Sequence, residues 1–98
     1  MDAALVLPRS LTIGDLEPLR QQLLVLLGSH RGLRLDGRAV EAIDTAGLQL
    51  LVVLCRDAAA RGMTVQWTGA GPALLSGAAL LGLTAALGLT ADTPPDVR

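Results

Sequence analysis

Few side chains in this 98-residue chain are of types that carry out covalent chemistry. The single histidine, His30, lies in a glycine-flanked turn, where a solvated loop residue is the simplest interpretation. The single cysteine, Cys55, falls on the apolar face of a predicted helix, where a thiol packs as a small apolar side chain. Carboxylates are not paired at helical spacing, and residues 69–71 lack the lysine of a phosphate-binding loop. The sequence therefore predicts a non-enzymatic protein without a metal or a cofactor.

One short segment, Asp44-Thr45-Ala46-Gly47, directly precedes a strongly apolar helical pattern. Asp44 is a typical N-cap residue, whose carboxylate accepts hydrogen bonds from the first-turn amides. A hydroxyl on Thr45 would lie beside the positive end of the helix dipole, and a phosphate there would add a charge of about −1.5 to −2. Two interpretations stay open: a helix cap alone, or a cap beside a phosphorylation switch at Thr45.

The first half of the chain predicts a strand, a helix and a second strand. Residues 3–7 are apolar and end at Pro8, which is typical of a short edge strand. Apolar residues then recur at spacings of three and four from Ile13, and we expect a helix that ends at Gly28, with Thr12 as its candidate cap. Residues 33–36 alternate between apolar and polar, which indicates a strand.

The second half repeats this alternation. Residues 48–60 form the strongest helical pattern, with an apolar face made of Leu48, Leu51, Val52, Cys55 and Ala59. Residues 63–68 alternate as a strand, and Pro72 begins a further helix with Leu81 on its apolar side. Residues 84–89 fit either one more helical turn or a short strand. Strands that alternate with helices require crossover connections, so the order predicts an α/β domain with a parallel or mixed sheet.

Composition excludes several classes of protein. Eight arginines against nine acidic residues give a net charge of −1, so no basic surface is available for a nucleic acid. One cysteine cannot form an internal disulfide, and the N-terminus lacks the basic region of a secretory signal. We therefore expect a cytoplasmic protein.

The region between residues 62 and 91 has no charged residue and is longer than a membrane helix requires. Polar residues interrupt it, and residues 69–72 would break a helix. We interpret it as a strand followed by short buried helices, with no membrane insertion. A membrane-embedded segment is the minor alternative.

The chain resembles a STAS domain, the family of sulfate-transporter and anti-sigma-antagonist domains. The matching segments, in order, are Leu7-Pro8, Ser10-Leu11-Thr12-Ile13, Leu33-Arg34-Leu35-Asp36, the segment from Ile43 through Asp44-Thr45-Ala46-Gly47 to Leu51, and Leu80-Leu81-Gly82-Leu83. The resemblance implies a single STAS-type α/β domain over residues 3–90, with a mixed or parallel sheet of four to five strands packed against about four helices. Residues 91–98 are then a C-terminal tail.

The resemblance also implies a role in binding another protein. In anti-sigma-factor antagonists the position of Thr45 is a phosphoacceptor, commonly serine, for a serine-type kinase that doubles as an anti-sigma factor. Other similar proteins accompany chemotaxis-type sensor kinases. The small STAS subunit of bacterial Mla-type lipid-transport ABC systems is also similar, and there the threonine contributes to binding the ATPase. The predicted partner-binding residues are Asp44, Thr45, Ala46, Gly47, Gln49, Leu50, Val53 and Arg56.

Overall fold

Five strands and four α-helices make up the computed structural model, which describes residues 2–29 and 31–89. The strands are β1 (Asp2–Val6), β2 (Ser10–Leu11), β3 (Gly32–Gly37), β4 (Ala42–Ile43) and β5 (Thr64–Ala70). The helices are α1 (Leu16–Ser29), α2 (Thr45–Ala60), α3 (Pro72–Leu80) and α4 (Thr84–Leu87), and a 3-10 turn, Ile13–Asp15, precedes α1. The types of these elements and their order along the chain confirm the predicted single α/β domain.

All strand pairs are parallel, but the strands are divided between two sheets. The larger sheet has the order β1-β3-β5, in which Leu5 pairs with Leu35 and Leu35 with Trp67. A register shift after Leu35 brings Asp36 opposite Gly69. The smaller sheet joins β2 to β4 and lies immediately before α2. Asp44 alone separates β4 from α2.

The core lies on one face of the larger sheet. Leu5, Leu33, Leu35 and Trp67 are buried there against apolar residues of the helices. The intervening residues of each strand, such as Ala4, Arg34 and Gln66, are exposed on the other face. This period-two alternation accounts for the strand patterns in the sequence, because successive strand residues point to opposite faces.

Several predicted details differ from the structure. Gly28 does not end α1, because the helix continues through Ser29. Thr12 does not cap a helix with its side chain; its hydroxyl donates to the Asp15 carboxylate at 2.9 Å. Residues 84–87 resolve the open alternative as a helical turn. His30 and the predicted tail, 91–98, lie outside the described residues.

The buried face of α2 is also shifted from the prediction. Leu48, Leu51 and Val52 are buried as expected, but Cys55 is only half-buried and Ala59 is exposed. Leu54 and Ala58 are buried in their place. The reason is that α2 contacts α1 as well as β5 and α4, which widens its buried face beyond the stripe that one neighbour would cover.

The uncharged region between residues 62 and 91 contributes β5, α3 and α4. Within residues 2–29 and 31–89, none of the helices has both the length and the apolar content needed to cross a membrane.

Candidate functional site

The start of α2 is fixed by the carboxylate of Asp44. Asp44 has extended backbone angles, and its Oδ1 accepts a hydrogen bond from the Gly47 amide at 3.0 Å, as an N-cap residue does. Its Oδ2 accepts a hydrogen bond from the amide of Ile13 at 2.9 Å. These bonds favour the charged carboxylate and lower the pKa of Asp44 below its ordinary value. One side chain thus joins α2 to the 3-10 turn.

Gly47 packs directly against the smaller sheet. A Cβ atom at this position would overlap the carbonyl oxygen of Leu11 and lie 3.1 Å from Cγ1 of Ile43. Only a residue without a side chain allows the first turn of α2 to approach β2 and β4 so closely. Gly47 is buried, so its contribution to the site is to position the residues around it.

Thr45 is exposed at the first position of α2, between two shallow grooves. The larger groove has a volume of about 520 Å³ and is lined by Thr45, Gln49, Val52, Val53, Arg56, Leu81 and Leu83. The smaller, about 250 Å³, runs past Thr45 toward Gly77 and Leu80. Leu81 lines both grooves. Thr45 therefore lies on a continuous concave surface between α2 and the end of α3.

Exposed apolar side chains form part of the rim of this surface. Leu80 is 86% exposed, Leu81 is 47% exposed and Val53 is 50% exposed. Arg56 is the cationic residue of the larger groove. Single exposed apolar residues are common on proteins, but several that adjoin two neighbouring grooves are typical of a binding surface. We call this region, made of Thr45, Gln49, Val53, Arg56, Leu80, Leu81 and Leu83, the Thr45 surface.

The predicted partner-binding residues do not all lie on the Thr45 surface. Thr45, Gln49, Val53 and Arg56 line the larger groove, and Asp44 lines the smaller. Ala46 is half-buried beside them. Leu50 is half-buried and lines a different groove, between α1 and α2.

Sequence reasoning missed the contribution of Leu80 and Leu83 and placed Leu81 on the apolar side of α3. The turn at residues 81–82 ends α3 before Leu81, with Gly82 at φ +69°, and leaves Leu81 half-exposed. The sequence did contain one indication of this surface: residues 80–83 include three leucines, which is more than a short helix can bury.

A polar cluster lies beside the 3-10 turn. The Ser10 and Thr12 hydroxyls both donate to Oδ2 of Asp15, at 2.7 Å and 2.9 Å. Both bonds lower the pKa of the Asp15 carboxyl group. The cluster stabilises the 3-10 turn, to which Asp44 is also hydrogen-bonded, and therefore helps to fix the position of Asp44 at the start of α2.

The part of the chain that the structure describes has no group of three His, Cys, Asp or Glu side chains placed to hold a metal ion. Cys55 is half-buried, and burial raises the pKa of its thiol, which disfavours the nucleophilic thiolate.

Comparison with known proteins gives one result that bears on identity. The family model described as "Mlab, STAS domain" matches residues 2–90. A comparison with curated proteins and one with solved structures found no match. The family match spans almost the whole chain and agrees with the parallel α/β architecture, so the chain belongs to the STAS domain family.

Proposed function

We propose that this STAS domain is a non-enzymatic regulatory protein that binds a signalling partner through the Thr45 surface, and that phosphorylation of Thr45 releases the partner. STAS domains are in general protein-interaction and regulatory domains. The observation that carries the finer proposal is that Thr45 is exposed beside grooves whose rim is apolar.

The apolar rim supports a protein partner. Leu80, Leu81 and Val53 expose side chains that a folded partner can cover, and burial of apolar surface stabilises a complex by about 25 cal/mol per Å² before the costs of association. A small polar ligand would gain little from these side chains. A protein that contributes apolar side chains of its own fits the surface better.

A phosphate on Thr45 would act against such a complex. It would place about two negative charges beside the grooves and next to the Asp44 carboxylate, which the two backbone amides already hold in its charged form. Arg56 lies eleven residues further along α2, roughly 16 Å along the helix axis, and is too far from Thr45 to pair with this phosphate. A partner that covers the grooves would therefore have to remove water from these charges, which is unfavourable. The proposed partner is a serine-type kinase that also acts as an anti-sigma factor, or a sensor kinase of the chemotaxis type.

The test is phosphorylation and binding with purified candidate kinases. With ATP and a kinase, wild-type protein is expected to gain one phosphate at Thr45, and Thr45→Ala is expected to gain none. Thr64→Ala, which removes an exposed threonine from β5, is the matched control and should be labelled like wild type. Labelling of Thr45→Ala at the wild-type level would contradict the switch.

A matched pair of variants separates charge from size. Thr45→Glu should raise the dissociation constant for the partner that binds unphosphorylated protein by about tenfold or more. Thr45→Gln introduces a side chain of similar size without the charge and should raise it less. Isothermal titration calorimetry measures both. Equal losses in the two variants would mean that bulk, and not charge, opposes the complex.

A second candidate function is favoured by the description of the matching family model, which names Mlab. In this alternative the chain is the STAS subunit that stabilises the ATPase of an Mla-type lipid-transport ABC complex, and Thr45 contacts the ATPase without being phosphorylated. Stoichiometric copurification with an ABC ATPase, weakened by Thr45→Ala and unaffected by kinases, would favour it. Either proposal places the protein in the cytoplasm, where both classes of partner use ATP.

A further inference from the structure

A third groove lies between α1 and α2 and shares only Val53 with the Thr45 surface. It has a volume of about 150 Å³, and Val53 separates it from the larger groove beside Thr45 because Val53 lines both. Its apolar lining consists of Leu23, Leu24, Leu27, Leu50, Val53 and Leu54. The groove is thus a shallow apolar depression between two helices.

The sequence of α1 explains why apolar surface remains there. Residues 23–27 are five consecutive apolar residues, and consecutive residues on a helix point in directions about 100° apart. Leu23 and Leu27 are buried, whereas Leu24 is 48% exposed and Val25 is 67% exposed. This domain therefore leaves part of α1 apolar and uncovered.

The two charged residues of the groove have opposite signs and lie on opposite walls. Arg20 belongs to the α1 wall and Asp57 to the α2 wall, and both are exposed. Arg20 lies 3.4 Å from Glu17 in an exposed pair, which is weak enough to exchange for another carboxylate. Within the described residues Asp57 forms no salt bridge.

We infer that this groove is the interface of a homodimer. A two-fold axis that crosses the groove midway between Arg20 and Asp57 brings Arg20 of each chain against Asp57 of the other, because a symmetric interface pairs each residue with its counterpart reciprocally. The same operation covers Leu24 with the second copy's apolar lining. One cation and one carboxylate on either side of an apolar depression are complementary to a second copy of this chain.

The inference does not depend on the proposed switch, because this groove shares only Val53 with the Thr45 surface and contains no residue from the start of α2. Thr45→Ala should therefore leave the homodimer unchanged. If Thr45→Ala lowers the molar mass of the protein in solution from that of the dimer, self-association uses the Thr45 surface instead, and the inference is overturned.

Charge reversal gives the decisive test, with sedimentation velocity and light scattering as the measurements. Arg20→Asp alone and Asp57→Arg alone each create two like-charge contacts in a symmetric dimer, and each should raise the dimer dissociation constant by about tenfold or more. A mixture of the two single variants should form a heterodimer, since every contact is then between opposite charges. The double variant R20D/D57R should regain the homodimer.

Two further variants complete the design. Arg34→Asp makes the same change of charge as Arg20→Asp, but on the exposed face of the sheet, and should dimerise like wild type. Leu24→Ser should weaken the dimer without disturbing the core, because Leu24 is half-exposed. A wild-type protein that sediments as one chain at the highest usable concentration would overturn the inference. The inference would also be overturned if the wild-type protein is monomeric and Leu24→Ser lowers its affinity for the partner of the Thr45 surface. The groove would then be a binding site for that partner.

Discussion

Gly47 lies against the carbonyl oxygen of Leu11, so closely that no side chain fits between α2 and β2. This contact gives a physical reason for the glycine in Asp44-Thr45-Ala46-Gly47. Asp44 caps the helix and Gly47 lets its first turn approach the small sheet, and together they hold Thr45 at the surface.

We expect Gly47→Ala to lower the free energy of unfolding by about 1–3 kcal/mol, the usual cost of overpacking, despite the better helix propensity of alanine. Urea denaturation followed by circular dichroism measures the change. Gly28→Ala is the control: nothing lies within 4 Å of the added Cβ in α1, and we expect a gain of about 0.5 kcal/mol. Equal stability of Gly47→Ala and wild type would contradict the close packing.

Acid should destabilise the protein partly through Asp44. Its pKa in the folded state is lowered by the hydrogen bonds from Gly47 and Ile13, so its contribution is fully present above the ordinary value of 3.8 and is lost as pH falls through the lower, folded-state pKa. Asp15 acts in the same direction through Ser10 and Thr12. Melting temperatures at a series of pH values below 5 measure the combined effect.

The variants Asp44→Asn and Asp15→Asn show how much of the loss of stability in acid comes from each carboxylate. Asparagine can still cap α2 through its amide oxygen, but the NH2 group that replaces the second carboxylate oxygen only donates and cannot accept from Ile13. Asp44→Asn should therefore melt at a lower temperature than wild type at pH 7 and lose less stability between pH 5 and pH 3. A variant with the wild-type acid profile would show that Asp44 is not one of the groups responsible.

The indole of Trp67 connects β5 to α4. Its Nε1 donates to the carbonyl oxygen of Leu87 at 2.7 Å, and both residues are buried. Trp67→Phe leaves that carbonyl without this donor, and we expect a loss of about 1–3 kcal/mol in the free energy of unfolding. Circular dichroism in urea is the measurement, since the variant lacks tryptophan fluorescence. A loss below the experimental error would mean that water replaces the indole.

Thr45→Glu should leave the fold intact. Thr45 is exposed, and an acidic residue in the first turn of a helix interacts favourably with the dipole, so the free energy of unfolding should change by less than about 0.5 kcal/mol. Thermal unfolding of both proteins tests this. A large drop in melting temperature would show that the side chain at this position is packed, and the binding loss of the same variant could then no longer be assigned to its charge.

The local patterns predicted the helices and the longer strands because those elements leave a repeated signal in the sequence. The cap at Asp44 could also be predicted, because it depends on a few adjacent residues. The order of elements then sufficed for the α/β class.

What could not be predicted depends on contacts between distant segments. β2 and β4 have two residues each, which is too short for any periodicity, and they exist because they pair with each other. Gly28 stays helical although glycine commonly ends a helix, and the sequence shows no local reason. The exposure of Leu80 and Leu81 depends on where α3 ends relative to α2, so the apolar half of the Thr45 surface was not predicted.

The uncovered face of the larger sheet has a practical consequence. Arg34 and Gln66 occupy paired positions there, on the face away from the core. A fluorophore or a biotin attached through a cysteine introduced at either position would point away from the helices, provided that Cys55 is first replaced. The protein could then be immobilised in a single orientation, and the occupancy of both helical surfaces could be monitored while each remains accessible.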